Sequence, residues 1–261
     1  MRGIDPRLSV IEQLLKLPKY FYYFVKCFLL FKKPLSVIYH YIRLTLPRNN
    51  TITLRNGTKI SLSDNPLDNI TVFVIFVKED YGKVLNESIV IDIGANIGVF
   101  TLYAAQCGAK KIYAYEPNSS AYSVLLRNIA DNKLEDIIIP YRFAVSGSDD
   151  ETVNIPLCSS PYNQMVRGNT NEDYEEVSTI TLETILIQNK IDFVDLLKID
   201  CEGAEYEIIF GLKVSIFSRL MEIRMEYHDG PVDELLSCFG KHNFLPIRFD
   251  RDSAALWVTK S

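Results

Sequence analysis

Paired cysteines are missing from this chain. Its five cysteines, Cys27, Cys107, Cys158, Cys201 and Cys238, never come closer than 37 residues. No CxxC pair for zinc or thiol exchange exists, and an odd, scattered set fits a reducing compartment. Long apolar runs are missing too. Tyr20 to Phe31 is apolar apart from Lys26, but twelve residues fall short of the roughly 20 that a membrane helix needs and suffice only for an interfacial segment. A long stretch precedes this run and no small-residue cleavage site follows it, unlike a secretory signal. The expected location is the cytoplasm. Internal repeats and low-complexity stretches are absent, and the greater part of the chain lacks the basic stripe that nucleic-acid binding requires.

What is present is unevenly distributed. Residues 1–50 hold nine Lys/Arg against Asp5 and Glu12, a surplus of +7 that leaves −12 on the remainder of a chain with net charge −5. A basic, aromatic leader ahead of an acidic domain reads either as an element facing an anionic surface such as a membrane or as amphipathic helices packed on the domain. With 48% hydrophobic and 23% charged residues, the chain has ample material for a globular core.

Val90 to Pro117 reads as strand, tight turn, helix, strand and then a carboxylate. Asp92, Gly94, Asn96 and Gly98 alternate across the turn. Glu116 ends the next strand 24 residues beyond Asp92, near the roughly 20-residue interval at which a doubly wound fold sets an acid against ribose hydroxyls. A dinucleotide fingerprint needs glycine at the first, third and sixth places. Counting from Gly94 puts Asn96 third and Val99 sixth. Asparagine tolerates a left-handed backbone, so the turn can form, but its side chain would crowd a pyrophosphate. A ribose-containing ligand without phosphates, such as S-adenosylmethionine (SAM), fits better than a nicotinamide dinucleotide.

The runs VIDIGANIGVFTLYAA (90–105), EPN (116–118), FAVS (143–146) and LLKIDCEGAE (196–205) resemble the FkbM-type SAM-dependent methyltransferases. The resemblance covers roughly Thr51 to the C-terminus, and its most specific element is the pairing of DIGANIG with KIDCEGAE. It implies an α/β fold, a doubly wound, mostly parallel, seven-stranded Rossmann-like sheet of class I methyltransferase type, with SAM as cofactor. It also implies that Asp92, Gly94, Ala95, Asn96 and Gly98 serve the cofactor's methionine end, with Asp92 ordering the turn. Glu116, followed by Pro117 and Asn118, would meet the ribose, and Ala144 and Val145 would border adenine. The acceptor would be a hydroxyl on a sugar, glycan or polyketide-like metabolite. The basic leader adds a lipid-linked glycan as a further expectation.

A hydroxyl acceptor must lose its proton as the new C–O bond forms, so a base within hydrogen-bond reach is useful. Lys198, Asp200, Glu202 and Glu205 cluster after one expected strand, while Glu226 and His228 end the next. His228 or Glu202 is the expected base, and Asp200 the cofactor-side or orienting acid. No tight metal-ligand motif is present and no metal ligand is assigned, although the same carboxylates could hold a divalent ion through oxygen ligands.

Along the chain, Ser9 to Leu46 has helical spacing with expected breaks at Pro18 and Pro34. Thr51 to Leu62 forms a hairpin through Asn56-Gly57, expected to cap an edge or end of the main sheet. Strands and helices then alternate: strand 88–93, helix 97–107, strand 111–116, helix 119–131, strand 137–145. Residues 147–176 read as an inserted hairpin or lid, Glu202 to Leu212 as a helix, and the chain ends in a hairpin supplying an antiparallel strand. The expected division is a helical N-terminal extension at 1–50, a lead-in at 51–87 and a methyltransferase domain at 88–261. A nicotinamide oxidoreductase and a noncatalytic membrane-docking module with a vestigial cofactor fold are the competing readings. Oligomeric state is not legible.

Overall fold

A computed structural model describes residues 10–157, 174–228 and 230–261, with side chains described from residue 18. Its chain forms two compact units, residues 1–82 and 83–261.

In the first unit, helix α1 (Val10–Leu30) runs through Pro18 rather than breaking there. Pro18 is exposed, where water can serve the carbonyl that its missing amide leaves without a donor. Helix α2 (Pro34–Arg43) starts at Pro34, a first-turn position that needs no amide. Strands β1 (Thr51–Thr53) and β2 (Lys59–Ser61) pair antiparallel around Gly57, whose φ of +101° suits the turn. This hairpin is a two-stranded sheet of its own, not an edge of the main one. The outer edge of β1 is occupied by the link between the helices, through Lys32 N to Thr53 O at 2.9 Å and Arg55 N to Leu30 O at 2.8 Å. Helix α3 (Leu67–Val72) continues into a π-helical turn, Phe73–Lys78.

The second unit begins with β3 (Ile89–Ile93), α4 (Val99–Gln106), β4 (Lys111–Tyr115), α5 (Ser119–Asp131) and β5 (Ile138–Tyr141). Next come the short β6 (Ala144–Val145), β7 (Thr152–Pro156), β8 (Tyr174–Ile180) and α6 (Leu182–Gln188). The last part comprises β9 (Val194–Ile199), α7 (Glu205–Phe210), α8 (Val214–Phe217), β10 (Leu220–Glu226), α9 (Val232–Lys241), β11 (Phe244–Asp250) and β12 (Ala255–Lys260). Seven strands form one sheet in the order β11-β12-β10-β9-β3-β4-β5, and only β12 runs antiparallel to its neighbours. Strand order reverses beside β3, between β4 and β9, the place where such sheets bind ligands beyond the strand ends.

The central strands are apolar on both faces because both faces are covered. Ile91, Ile93, Leu197, Ile199, Ile223 and Met225 join one core with Ile185 of α6, Ile208 of α7 and Leu235 of α9. On the other face, α4 lies against β3 through a Thr101 hydroxyl that donates to Asp92 at 2.6 Å.

Residues 137–145 do not form the single strand expected from their composition. Among the described residues β5 pairs only with β4, and its Pro140 suits such an edge position. The chain then leaves the main sheet, and β6 pairs with β8 in a separate three-stranded sheet completed by β7. β7 and β8 are the antiparallel arms of the expected insertion; residues 158–173 lie outside the described part.

Candidate functional site

Three consecutive features place the turn after β3. Gly94 N and Ala95 N both donate to Tyr115 O, at 3.0 and 2.9 Å, tying the turn to the end of β4. Gly94 has φ +74°, Asn96 φ +50° and Gly98 φ +86°, a left-handed series that glycine enters freely and asparagine at small cost. Space imposes a second demand at Gly94, where a Cβ would lie 1.8 Å from the Asp200 carbonyl oxygen. The turn after β3 and the end of β9 therefore touch through backbone.

Beneath this contact lies a buried ion pair. Lys198 Nζ sits 3.1 Å from Asp92 Oδ1 and donates to the carbonyls of Gly94 at 2.7 Å and Ile93 at 3.2 Å. Burial opposes the lysine's charge, but Asp92 and Asp200 outweigh it and hold its pKa above the ordinary value. Asp92 faces this lysine and Thr101, and so supports the turn from below.

Glu116, just past the end of β4, is 7% exposed. Its Oε2 accepts from Asn96 N at 2.7 Å and its Oε1 from Asn118 N at 2.9 Å. Burial pushes its pKa up to about 7 despite those two amides. Each carboxylate oxygen keeps a further lone pair for a ligand hydroxyl. Next to it, Asn96 Oδ1 is buried with no hydrogen-bond partner among the described residues. An acceptor in that state calls for a donor, and both an ammonium group and ribose hydroxyls supply one. The turn and Glu116 thus fit an amino-acid nucleoside.

The other residues expected near the cofactor are engaged in structure. Asn118 caps α5, accepting from Ala121 N at 2.8 Å, and donates to Pro156 O at 2.6 Å. Ala144 packs within the small sheet and Val145 in the main core; both side chains are buried, so only their backbone is available to border a ligand.

The ends of β9 and β10 carry the ionisable cluster. Met225 pairs with Ile199, so Glu226 and Asp200 are the next residues on neighbouring strands. Asp200 Oδ2 lies 3.8 Å from Lys198 Nζ. Glu202 adopts φ +56°, and α7 begins only at Glu205, later than the expected start at Glu202. Two backbone donors of this loop go to Glu205: Gly203 N at 2.9 Å and Cys201 N at 3.4 Å.

His228 is clamped between two acids. Its Nε2 lies 3.0 Å from Glu202 Oε2 and its Nδ1 2.8 Å from Glu205 Oε1. The bonds to Glu202 and then Glu205 overcome burial and raise its pKa from 6.5 to about 10. Burial would raise Glu205, but the His228 ring and the backbone amides outweigh it and lower its pKa. At neutral pH this ring is an imidazolium with both N–H groups donated, so it has no lone pair with which to accept a proton. Glu226 behaves oppositely. Burial, with Asp200 and Glu202 adding like charge, pushes its pKa up to about 7. A carboxylate at that value can take a proton near neutrality. Sequence reading set Glu226 beside His228 at a strand end but assigned it no role, because that position was its one legible signal.

The sheet order, with one antiparallel strand inserted between β10 and β11, defines the Rossmann-like fold of class I methyltransferases. Residues 92–246 match the methyltransferase FkbM domain model, and the chain belongs to that family. Among similar proteins are methyltransferase sdnD of Sordaria araneosa, 28% identical over 51% of this chain and 63% of its own length, and hexuronic acid methyltransferase AglP of Haloferax volcanii, 24% identical over 58% and 62%. A third is 31-O-demethyl-FK506 methyltransferase FkbM of Streptomyces tacrolimicus, 22% identical over 60% of this chain and 72% of that protein. The chain thus spans less than two thirds of the length of the first two.

Proposed function

We propose that the protein is a SAM-dependent O-methyltransferase whose acceptor is a hydroxyl of a sugar, glycan or polyketide-like compound, including lipid-linked glycans. Support for the acceptor class comes from the names of two relatives, one a hexuronic acid methyltransferase and the other acting on 31-O-demethyl-FK506. Support for the cofactor comes from Glu116 and the unpartnered Asn96 Oδ1 at the left-handed turn. SAM would be held by the backbone of Gly94 to Gly98, by Asn96 and by Glu116, and when bound it supplies an electrophilic methyl group on a sulfonium.

The chain's own groups do the remainder. Lys198 and Asp92 hold the turn rigid from below. His228 fixes Glu202 and Glu205, and so the loop between β9 and α7. Glu226, rather than His228, is the base that takes the acceptor's hydroxyl proton as the C–O bond forms, with Asp200 beside it orienting the acceptor. The single observation that carries this assignment is the adjacency of Glu226 and Asp200, on neighbouring strands, to the Gly94 turn through the Asp200 carbonyl.

Isothermal titration of the purified protein with SAM and, separately, NADH tests the cofactor. SAM binding at micromolar concentration that a Glu116→Ala variant loses is expected. Binding of NADH without SAM would overturn the proposal.

A further inference from the structure

We infer that the two N-terminal helices form a docking face for an anionic lipid bilayer. This inference is independent of the proposed methyl transfer and concerns residues outside the segment that matches the family model. α1 is apolar on opposite sides. Cys27 and Phe31, just beyond its end, are fully buried, whereas Phe21, Val25 and Leu29, spaced by one turn each, form an outward stripe, with Phe21 69% and Leu29 70% exposed. α2 repeats the pattern with Val37 buried and Leu35, Tyr39 and Ile42 outward, Leu35 being 64% exposed. A helix apolar on both sides belongs in a core or in lipid, and exposed apolar stripes of this extent mark an interaction surface.

Charge selects the occupant. Residues 18–48 contain six Lys/Arg and no Asp or Glu. Lys32 and Lys33, both exposed, fall between the two stripes. Aromatic and aliphatic side chains flanked by cations match the interface of an anionic leaflet, where rings settle at headgroup level and lysines meet phosphates. An isologous contact between two copies would instead set like charges against each other. No helix among the described residues is long and apolar enough to cross a membrane, which leaves α1 and α2 to lie in the surface.

Sedimentation with phosphatidylcholine vesicles, with and without phosphatidylglycerol, tests the inference at low and high salt. The full chain should partition onto the anionic vesicles at low salt and much less onto neutral ones. A Lys32→Glu, Lys33→Glu variant should lose roughly tenfold or more of that partition, and a Phe21→Ser, Leu29→Ser variant about a hundredfold. Both changes are on exposed positions, so the circular dichroism melt should match that of the parent chain. Absence of sedimentation with anionic vesicles, or sedimentation that both variants leave unchanged, would overturn the inference. Light scattering that shows a dimer dissolved by Phe21→Ser, Leu29→Ser, in a protein that ignores vesicles, would assign the face to a second copy.

Discussion

The turn after β3 and the loop after β9 lie against each other, yet they are held in different ways. Around Gly94 to Gly98 the bonds run to backbone: Gly94 and Ala95 amides to Tyr115 O, the Asn96 amide to Glu116, the Lys198 ammonium to Gly94 O. Around Asp200 to Glu205 the decisive bonds join side chains, with His228 bridging Glu202 and Glu205. A turn held through its own amides and carbonyls tolerates few changes of residue. A side-chain cluster tolerates more residues, and its charge state is a collective property of its members.

Glycine substitution breaks that comparison most sharply. Both Gly94 and Gly203 have positive φ, but a Cβ at Gly203 meets nothing within 4 Å while one at Gly94 strikes the Asp200 carbonyl. Gly94→Ala should cost roughly 3 kcal/mol or more and abolish SAM binding, whereas Gly203→Ala should cost only about 1–2 kcal/mol. Urea unfolding of both variants checks the difference. On the other side, Glu226→Gln should lower kcat by about a hundredfold or more with little change in SAM affinity; an unchanged kcat would return the role of base to another group. Glu116→Ala should weaken SAM binding by roughly a hundredfold, the loss of two charge-assisted hydrogen bonds.

The pH dependences sharpen the contrast further. Glu116 titrates near 7, and ligand hydroxyl donors favour its ionised form. SAM affinity should therefore fall as pH drops below about 7, which titration calorimetry at several pH values would reveal. His228 has a folded pKa raised to about 10 from 6.5. Its clamp should stabilise the fold fully below about 6.5 and lose that contribution progressively as pH rises from there through about 10. NMR of the His228 ring should show no titration between pH 6 and 8, the smallest and most local of these effects, and Glu202→Gln should bring the midpoint down.

Legibility followed the range of the interactions. The left-handed turn was readable because its requirements fall on residues within five positions of one another, and the alternation of strands and helices because core-facing side chains recur at fixed periods. Asn96 entered a positive φ as its residue type allows. The strand expected at 137–145 was misjudged because apolar composition does not reveal which sheet a segment joins; β5 and β6 share a run but pair with different partners. Pro18 was misjudged because residue type alone does not fix whether a proline ends a helix; here α1 runs through it with its ring exposed.

By itself, the sequence determined the Rossmann-like half-site: glycine and asparagine at the turn, a carboxylate at the next strand end, and apolar strands that demand cover on both faces. Only the tertiary structure decided how the acids and the histidine pair and how each is protonated. Parallel register sets Glu226 beside Asp200, and the fold of the loop after β9 brings Glu202 and Glu205 to opposite nitrogens of His228. Protonation is set by neighbours in space, through burial and charge, so Glu226, pushed up to about 7, and His228, raised to about 10, look alike along the chain and differ once the strands are paired.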